Sequence, residues 1–391
     1  MNGLDLKKID WAITTTILIL LSISIAFIYS AQFQSVGSVG STWQRQIFFG
    51  LFGLGLYILT AWIDYRIFTK WSVWLYSIVI GMLLIVFLYP PINGAHRWIT
   101  LPGFTIQPSE LAKPIILIIV SAFLASPSQD RESNKTFLTI LGLIMLPLLL
   151  IAIEPDLSTA LVLVPASIVI LLYSGIKRKW IIKSIFLFVL FSILICVWIK
   201  FETPIDTKTE VKKEQQRLHL PEVPFLESYQ KDRIRVFLSD NLDPADTGWN
   251  KLQAQVAVGS GGLRGKGYLR GTQNMLGFLP RTVAPTDFIF CVIAEELGFM
   301  GSISVVILYL ILLIRCLKSA WRASDEFGRM LALGISTLLF CHIFINIAMT
   351  IGLLPITGLP LPLMSYGGSF MISTLVSLGI IQSIYQRRKI R

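Results

Sequence analysis

The chain has 391 residues, of which 54% are hydrophobic and only 15% are charged. Soluble domains carry roughly 25% charged residues, so the composition excludes a soluble multidomain protein and predicts a polytopic membrane protein. The net charge of +11 does not indicate a nucleic-acid partner, because the Lys and Arg residues collect at alternate ends of the apolar spans. This distribution follows the positive-inside rule and predicts that both termini are cytoplasmic.

Ten apolar runs are of membrane-crossing length, and they predict an all-α fold with about ten transmembrane helices. The first run follows Lys7 and Lys8 like a signal peptide, but its length of about twenty residues predicts a retained helix. Residues 1–391 are predicted to form one membrane domain. The predicted spans are 11–31, 46–63, 71–89, 109–126, 137–153, 157–174, 180–199, 287–314, 330–352 and 361–385.

Charged residues interrupt the fourth span. Glu110 and Lys113 are three residues apart and share a helical face, so they are predicted to pair. Intramembrane charges are costly, which makes this pair a functional candidate, although a purely structural ion pair explains it too. Arg97, in the preceding loop, is predicted to lie at the same membrane face.

A polar segment of about 200–286 separates the seventh and eighth spans and is predicted to be a large extracytoplasmic loop. Its first part, 202–227, is rich in Lys, Glu, Gln and Pro and predicts a flexible or loosely helical insert. The later run from Gly259 to Gly271 is rich in glycine but fails the spacing of phosphate and dinucleotide loops. Two interpretations stay open, a mobile backbone that grips a phosphorylated group and a flexible loop with solvated charges.

Asp287 lies where this loop meets the eighth apolar span. A carboxylate at a junction between water and membrane can have raised basicity and a fixed position, as a general base requires. Equally, Thr286 and Asp287 are both good helix-capping residues. Glu295 lies on the same predicted helical face about 12 Å away, too far for a proton-sharing dyad. Glu295 and Glu296 are also candidates for anchoring helix packing.

The segment 352–369 holds three prolines and four glycines and cannot form a regular helix. At membrane depth such a backbone persists only when it is buried in protein or lines a wet cavity. A re-entrant element beside an outward-facing cavity is therefore favoured over a surface turn. His342, in the ninth span, is predicted to be a packing residue, as are the cysteines Cys196, Cys291, Cys316 and Cys341.

Together these segments resemble the SEDS family of polytopic peptidoglycan glycosyltransferases, which includes RodA and FtsW. The matching motifs resemble RodA more than FtsW, especially around the glycine-rich run and the proline-rich segment. One departure is 280–285, which is about two residues longer than in relatives and lacks their acidic residue and His. The resemblance is carried by 93–99, 107–113, 154–160, 234–238, 253–271, 278–280, 286–290, 295–301 and 352–369.

The resemblance implies an inverting transferase that polymerises lipid II, an undecaprenyl-pyrophosphate-linked disaccharide-peptide, at the outer face of the bacterial cytoplasmic membrane. Asp287 matches the family's essential aspartate and is the predicted general base, while Glu110 and Lys113 match the charged pair of its central cavity. No dedicated metal-ligand cluster is visible, and a divalent cation (Mg²⁺ or Mn²⁺) between Asp287 and the pyrophosphate is a candidate cofactor. The implied partner is a class B penicillin-binding protein. The predicted phosphate contacts are Arg97, Lys113, Arg264, Lys266 and Arg270.

Two functions from other classes are alternatives. A transporter that flips lipid II suits the intramembrane charges and the broken helix, although the chain has no internal repeat. A non-catalytic scaffold for the penicillin-binding protein is the other. Replacing Asp287 by Asn distinguishes them, because a transporter would still move substrate and a scaffold would leave the partner's activity intact.

Overall fold

The computed structural model describes residues 8–33, 40–92, 95–101, 104–183, 233, 237, 247–280 and 282–388. Within these residues, eight helices are long and apolar enough to cross a membrane, and a shorter apolar helix covers Ser158–Ser174. The all-α polytopic class is therefore confirmed. Most of the predicted seventh span, the 202–227 insert and Cys196 lie outside the described residues, so the count of ten helices stays a prediction.

Most helices begin and end within about four residues of the predicted spans, but the predicted span 287–314 continues to Arg322 and the predicted span 361–385 becomes helical only at Gly368. A short hairpin precedes the fourth helix. Three of the helix starts are fixed by aspartates, since Asp10 accepts a hydrogen bond from Ala12 N, Asp156 accepts one from Thr159 N and Asp325 accepts one from Gly328 N. The elements are α1 (Trp11–Gln32), α2 (Thr42–Trp62), α3 (Ile67–Ile85), β1 (Ile99–Leu101), β2 (Phe104–Ile106), α4 (Pro108–Ala125), α5 (Asn134–Ile153), α6 (Leu157–Ser174), α7 (Thr247–Ser260), α8 (Thr272–Met275), α9 (Ile289–Arg322), α10 (Glu326–Thr350) and α11 (Gly368–Gln386).

Helices α4 and α11 form the centre of the bundle. In the apolar stretch of each, 78% of the residues are buried, against 22% in α3, so α3 presents most of its surface outward, as a lipid-facing helix does. Helix α11 packs along α2, where small residues allow close approach. A Cβ at Gly379 would lie 1.9 Å from Thr60 Oγ1, and one at Gly53 would lie 2.4 Å from Leu375 Cδ1.

The hairpin β1–β2 is antiparallel, with Ile99 opposite Ile106, and it leads directly into α4. Ser369, in the first turn of α11, accepts a hydrogen bond from Gln107 N at 3.0 Å and donates one to Thr105 O at 3.4 Å. The hairpin is thus fixed to the start of α11. As a result, the first turn of α4, with Glu110, lies beside the irregular segment that precedes α11.

Helix α9 is not continuous, because Gly298 adopts φ +65° and ψ −161° and breaks it. The glycine-rich run fills the break by making backbone hydrogen bonds on both sides of Gly298, and these satisfy peptide groups that the break would otherwise leave unpaired. The four bonds are Lys266 N to Glu295 O (3.0 Å), Gly267 N to Glu296 O (2.9 Å), Phe299 N to Gly262 O (2.8 Å) and Met300 N to Leu263 O (3.1 Å).

The approach between this run and α9 is close enough to require glycine. A Cβ at Gly261 would lie 2.0 Å from Ala294 O, and one at Gly265 would lie 2.1 Å from Glu296 O. Gly265 also has a φ of +78°, which L-residues rarely adopt. The run is therefore a docked segment, and both sequence interpretations of it as a mobile loop are corrected.

Candidate active site

A cavity of about 930 Å³ lies at the end of the bundle where α2, α4 and α6 begin and α10 ends. Its walls come from the hairpin, the beginnings of α2, α4 and α6, the turns before α9 and residues 357–370. Three predicted site residues, Asp287, Arg97 and Glu110, line it together. The irregular segment before α11 lines it as well, which supports the prediction of an element beside a cavity.

Asp287 lies in a series of turns before α9, not on the helix itself. Its backbone N–H donates to Val283 O at 3.0 Å, and α9 begins at Ile289. The N-cap residue of α9 is Phe288, and no side chain forms a capping hydrogen bond there. The interpretation of Asp287 as a helix cap is therefore wrong, and so is its placement on one helical face with Glu295.

Three consecutive carbonyl groups hold the main chain at Asp287. Tyr366 N donates to Pro285 O at 2.9 Å, and Ser365 Oγ donates to Thr286 O. Asn346, on α10, donates to the carbonyl oxygen of Asp287 at 3.0 Å. Because the main chain is held from two other elements, the carboxylate of Asp287 has a fixed starting point at the cavity wall.

The electrostatic surroundings of Asp287 have two opposing effects. Burial raises the pKa of its carboxyl above the ordinary range, because a charged group loses hydration there. The guanidinium of Arg233 and the neighbouring hydroxyl of Thr286 act in the other direction and lower the pKa. A raised pKa in an ionisable group at a cavity is typical of a general base.

Glu110 and Lys113 do pair, and the pair includes a third member. The Nζ of Lys113 lies 2.7 Å from Glu110 Oε2 and 3.0 Å from His342 Nε2. It also lies 5.3 Å from the ring centroid of Phe370. Lys113 itself is buried behind Glu110, and His342 is buried with it. The prediction that His342 only packs is therefore corrected, since its ring nitrogen serves as an acceptor for the lysine.

Arg97 lies at the cavity and also holds the turn between α5 and α6. Its Nε donates to Glu154 O at 3.1 Å, and its Nη2 donates to Pro155 O. Asp156 follows in this turn, lines the cavity and caps α6. The Oδ2 of Asp156 accepts hydrogen bonds from Gln107 Nε2 and Ser109 Oγ (3.1 Å each) and from Thr159 Oγ1 (2.8 Å).

The structure does not bring Arg264, Lys266 and Arg270 to this cavity. Lys266 lies beside the break in α9, where all three of its N–H donors have acceptors, so none is left for a phosphate. The acceptors are Glu295 Oε1 (2.6 Å), Thr272 Oγ1 (2.7 Å) and Ser260 Oγ (2.8 Å).

Three charged residues of the cavity are not among the site residues predicted from the sequence, namely Arg45, Asp156 and Arg233. Arg45 lies in the first turn of α2. The predicted topology places this end of the span on the outer side, so the sequence contains a signal that could have indicated Arg45. Arg233 is one of several charged residues in the long loop, and nothing local distinguishes it. In the part of the chain that the structure describes, no group of three or more His, Cys, Asp or Glu side chains could hold a metal ion.

The family model for FtsW, RodA and SpoVE, described as a cell cycle protein, matches residues 10–390. The chain belongs to this family. It is similar to the peptidoglycan glycosyltransferase MrdB of Escherichia coli K12, with 34% identity over 98% of this chain and 95% of that protein. A probable peptidoglycan glycosyltransferase FtsW of Trichlorobacter lovleyi is 33% identical over 97% of this chain and 93% of its own length. The predicted class, a peptidoglycan glycosyltransferase of the SEDS family, is confirmed.

Solved structures agree with this assignment. A chain from a peptidoglycan synthase complex that coordinates polymerization and crosslinking matches with a TM-score of 0.75 and 25% identity, over 96% of this chain and 97% of that one. The crystal structure of the Thermus thermophilus rod shape determining protein RodA matches with a TM-score of 0.66 and 23% identity, over 98% of each chain. The RodA-like fold is thereby confirmed.

Proposed function

We propose that the chain polymerises lipid II into glycan strands at the outer face of the bacterial cytoplasmic membrane, with Asp287 as the general base. One observation carries the assignment of the base. The carboxylate of Asp287 is not used as a helix cap, its main chain is held at three consecutive carbonyls, and it faces the cavity. Neither a helix-capping role nor a packing role of Asp287 requires a carboxylate that is held at the cavity wall in this way.

The chemistry fits the groups in the cavity. Lipid II carries its donor sugar on a pyrophosphate, which is already a good leaving group, so no strong general acid is needed. Asp287 would take the proton from the 4-hydroxyl of the acceptor sugar while that oxygen attacks the anomeric carbon. The bond to the pyrophosphate breaks on the opposite side, which inverts the anomeric centre. Arg97 and Arg45, which line the same cavity, would stabilise the departing negative charge.

Substrate binding is proposed for Arg97, Glu110 and Lys113. Glu110 lines the cavity and Lys113 neutralises it from behind, so the pair presents a polar, charge-balanced surface to the sugar. A divalent cation, if it takes part, would be bound by Asp287 together with oxygens of the pyrophosphate itself. Lys266 is proposed to stabilise the break in α9 instead of binding substrate, whereas Arg264 and Arg270 are exposed residues of the same run that do not line the cavity.

The orientation in the membrane and the partner are further proposals. The positive-inside rule assigns the basic ends of the helices to the cytoplasm, together with both termini. The cavity end, and the loop at 200–286, would then lie outside, in one membrane domain of 1–391. Similarity to a chain from a peptidoglycan synthase complex supports a class B penicillin-binding protein as the partner.

The test is polymerisation of labelled lipid II by the purified protein, with and without that partner. Asp287→Asn should lower the rate at least about 10²-fold, because general-base catalysis contributes 10²- to 10⁴-fold. The matched control is Asp130→Asn, an exposed carboxylate after α4 at the opposite end of the bundle, which should keep full activity.

Three outcomes would contradict the proposal. Absence of polymer from folded, partner-bound wild-type protein would exclude the enzyme. Movement of lipid II across sealed vesicles by the Asp287→Asn protein, without polymer from either form, would favour a transporter. Unchanged partner activity with the variant, again without polymer, would favour a scaffold.

A further inference from the structure

Arg233 and Asp287 face each other across a glycine. A Cβ at Gly358 would lie 3.2 Å from Nη1 of Arg233 and 3.3 Å from Oδ2 of Asp287. Because Gly358 has no side chain, the space beside it adjoins both the guanidinium and the carboxylate. Its φ of +77° also favours glycine at this position.

A hydrogen bond fixes Arg233 to the irregular segment before α11. Its Nη1 donates to Thr357 O at 2.8 Å, and the same carbonyl accepts a hydrogen bond from Ser158 Oγ at the start of α6. The guanidinium is therefore held at the cavity wall by a backbone group. A cation so placed favours the charged form of a nearby carboxylate.

The other charged groups of the cavity have interactions of their own. Glu110 pairs with Lys113, and Asp156 accepts hydrogen bonds from side chains of α4 and α6. Arg97 donates to backbone carbonyls of the turn between α5 and α6. Arg45 lines the cavity from α2. Among the charged side chains that the structure describes, Arg233 is the one whose charge lowers the pKa of the Asp287 carboxyl.

We propose that Arg233 is a positioning residue that keeps the Asp287 carboxylate ionised at the cavity wall. This rests on the proposed function, in which Asp287 must be ionised to accept a proton. Burial of Asp287 alone would favour the protonated form, which is inactive as a base. The cation at Arg233 offsets that effect, so that the base is ready at neutral pH while it stays partly shielded from water.

The experiment compares the pH dependence of kcat/KM for lipid II polymerisation in Arg233→Gln, Arg233→Lys and wild type. Loss of the cation raises the pKa of Asp287, so a smaller fraction is ionised at acidic pH. The acidic limb of the profile should move up by about one pH unit in Arg233→Gln. In Arg233→Lys, which keeps the charge, it should move much less. Activity of the neutral variant should recover partly at high pH.

Controls separate this proposal from the proposed function. Arg322→Gln removes an exposed arginine from the far end of α9 and should leave the profile unchanged. Arg233→Met is a second neutral variant that keeps most of the side-chain bulk, for use if the Gln variant does not fold. If wild type makes polymer and Asp287→Asn does not, the proposed function stands. An unmoved acidic limb in the neutral variants would then overturn the role of Arg233 alone, since loss of a packing or substrate contact lowers activity equally at every pH.

Discussion

Two lysine–glutamate pairs of nearly equal length have different surroundings in this protein. Lys113 lies 2.7 Å from Glu110, and Lys266 lies 2.6 Å from Glu295. The first pair borders the cavity, and its lysine contacts a histidine and the face of an aromatic ring. The second lies beside the break in α9, where backbone and hydroxyl groups surround it.

The two pairs have nearly the same N–O distance, but they differ in how many N–H donors of the lysine already have an acceptor. Lys266 directs its three N–H groups to three oxygen acceptors, and Glu295 Oε1 also accepts from Gln273 N at 3.0 Å. Lys113 has two such acceptors among the described residues. A saturated pair holds structure together, whereas an incompletely saturated pair beside a cavity can respond to a ligand.

The largest effect is expected from Lys266→Met. The substitution leaves Glu295 fully buried without its cation, and breaking a buried ion pair from one side costs about 3–5 kcal/mol. Thermal unfolding of the detergent-purified protein should show this loss. The polymerisation rate per folded molecule should stay close to that of wild type. If the variant is folded and stable but no longer binds lipid II, Lys266 is a substrate contact, and the difference in role between the two pairs does not hold.

A somewhat smaller loss of stability is expected from Gly265→Ala. The new Cβ would meet the carbonyl oxygen of Glu296 at 2.1 Å and would occupy a backbone conformation with φ of +78°, so the cost is about 2–3 kcal/mol. Gly259→Ala is the matched control in the same run, because a Cβ there has open space. Equal unfolding temperatures for the two variants would show that the run is not docked as described.

Lys113→Met should act on activity more than on stability. Glu110 is buried but lines the cavity, so water in the cavity can reach its carboxylate once the cation is removed, and the loss of stability should be smaller than in Lys266→Met. Loss of a hydrogen bond to a charged group is expected to lower kcat/KM roughly 10- to 100-fold. If stability falls as far as in Lys266→Met while the activity of the folded fraction is kept, both pairs are structural.

The smallest effect is expected at His342. His342→Leu removes the second acceptor of Lys113, and His342→Gln supplies another acceptor of different reach. The Leu variant should lose about tenfold in kcat/KM, and the Gln variant should recover part of that loss. Equal activities for the two variants would show that His342 does not act through Lys113. The polymerisation assay described for Asp287 measures both.

The sequence predicts the membrane fold well because hydropathy is a local property of each span. The sequence also indicates Asp287 as a candidate, because the junction between polar and apolar segments where it lies can be read from the sequence alone. His342, which accepts a hydrogen bond from Lys113, lies 229 residues away in the sequence. Nothing in the sequence around either residue indicates that the two meet. Nor does the sequence reveal that Gly298 breaks α9, since the unpaired backbone groups of the break find partners in a separate loop.

The structure adds to the sequence prediction at Lys266 and at Arg233 for one reason. A lysine in a glycine-rich loop has the composition of a phosphate site, and only the three-dimensional contacts show that its donors are occupied. An arginine within a long charged loop has no distinguishing context, and only the fold brings it to Asp287. Residue type indicates which chemistry is available, but partners distant in sequence decide which residue performs it.

The main-chain hold on Asp287 also bears on how the region before α9 tolerates change. Tyr366, Ser365 and Asn346 contact carbonyl oxygens of residues 285 to 287, and every amino acid has such an oxygen. These contacts therefore place no demand on which side chains occupy those three positions. Side-chain substitutions in 280–285, where the sequence is expected to differ from its relatives, should therefore leave the main chain at Asp287 in place. The sequence at the rim of the cavity can therefore change while the position of the catalytic carboxylate of Asp287 is kept.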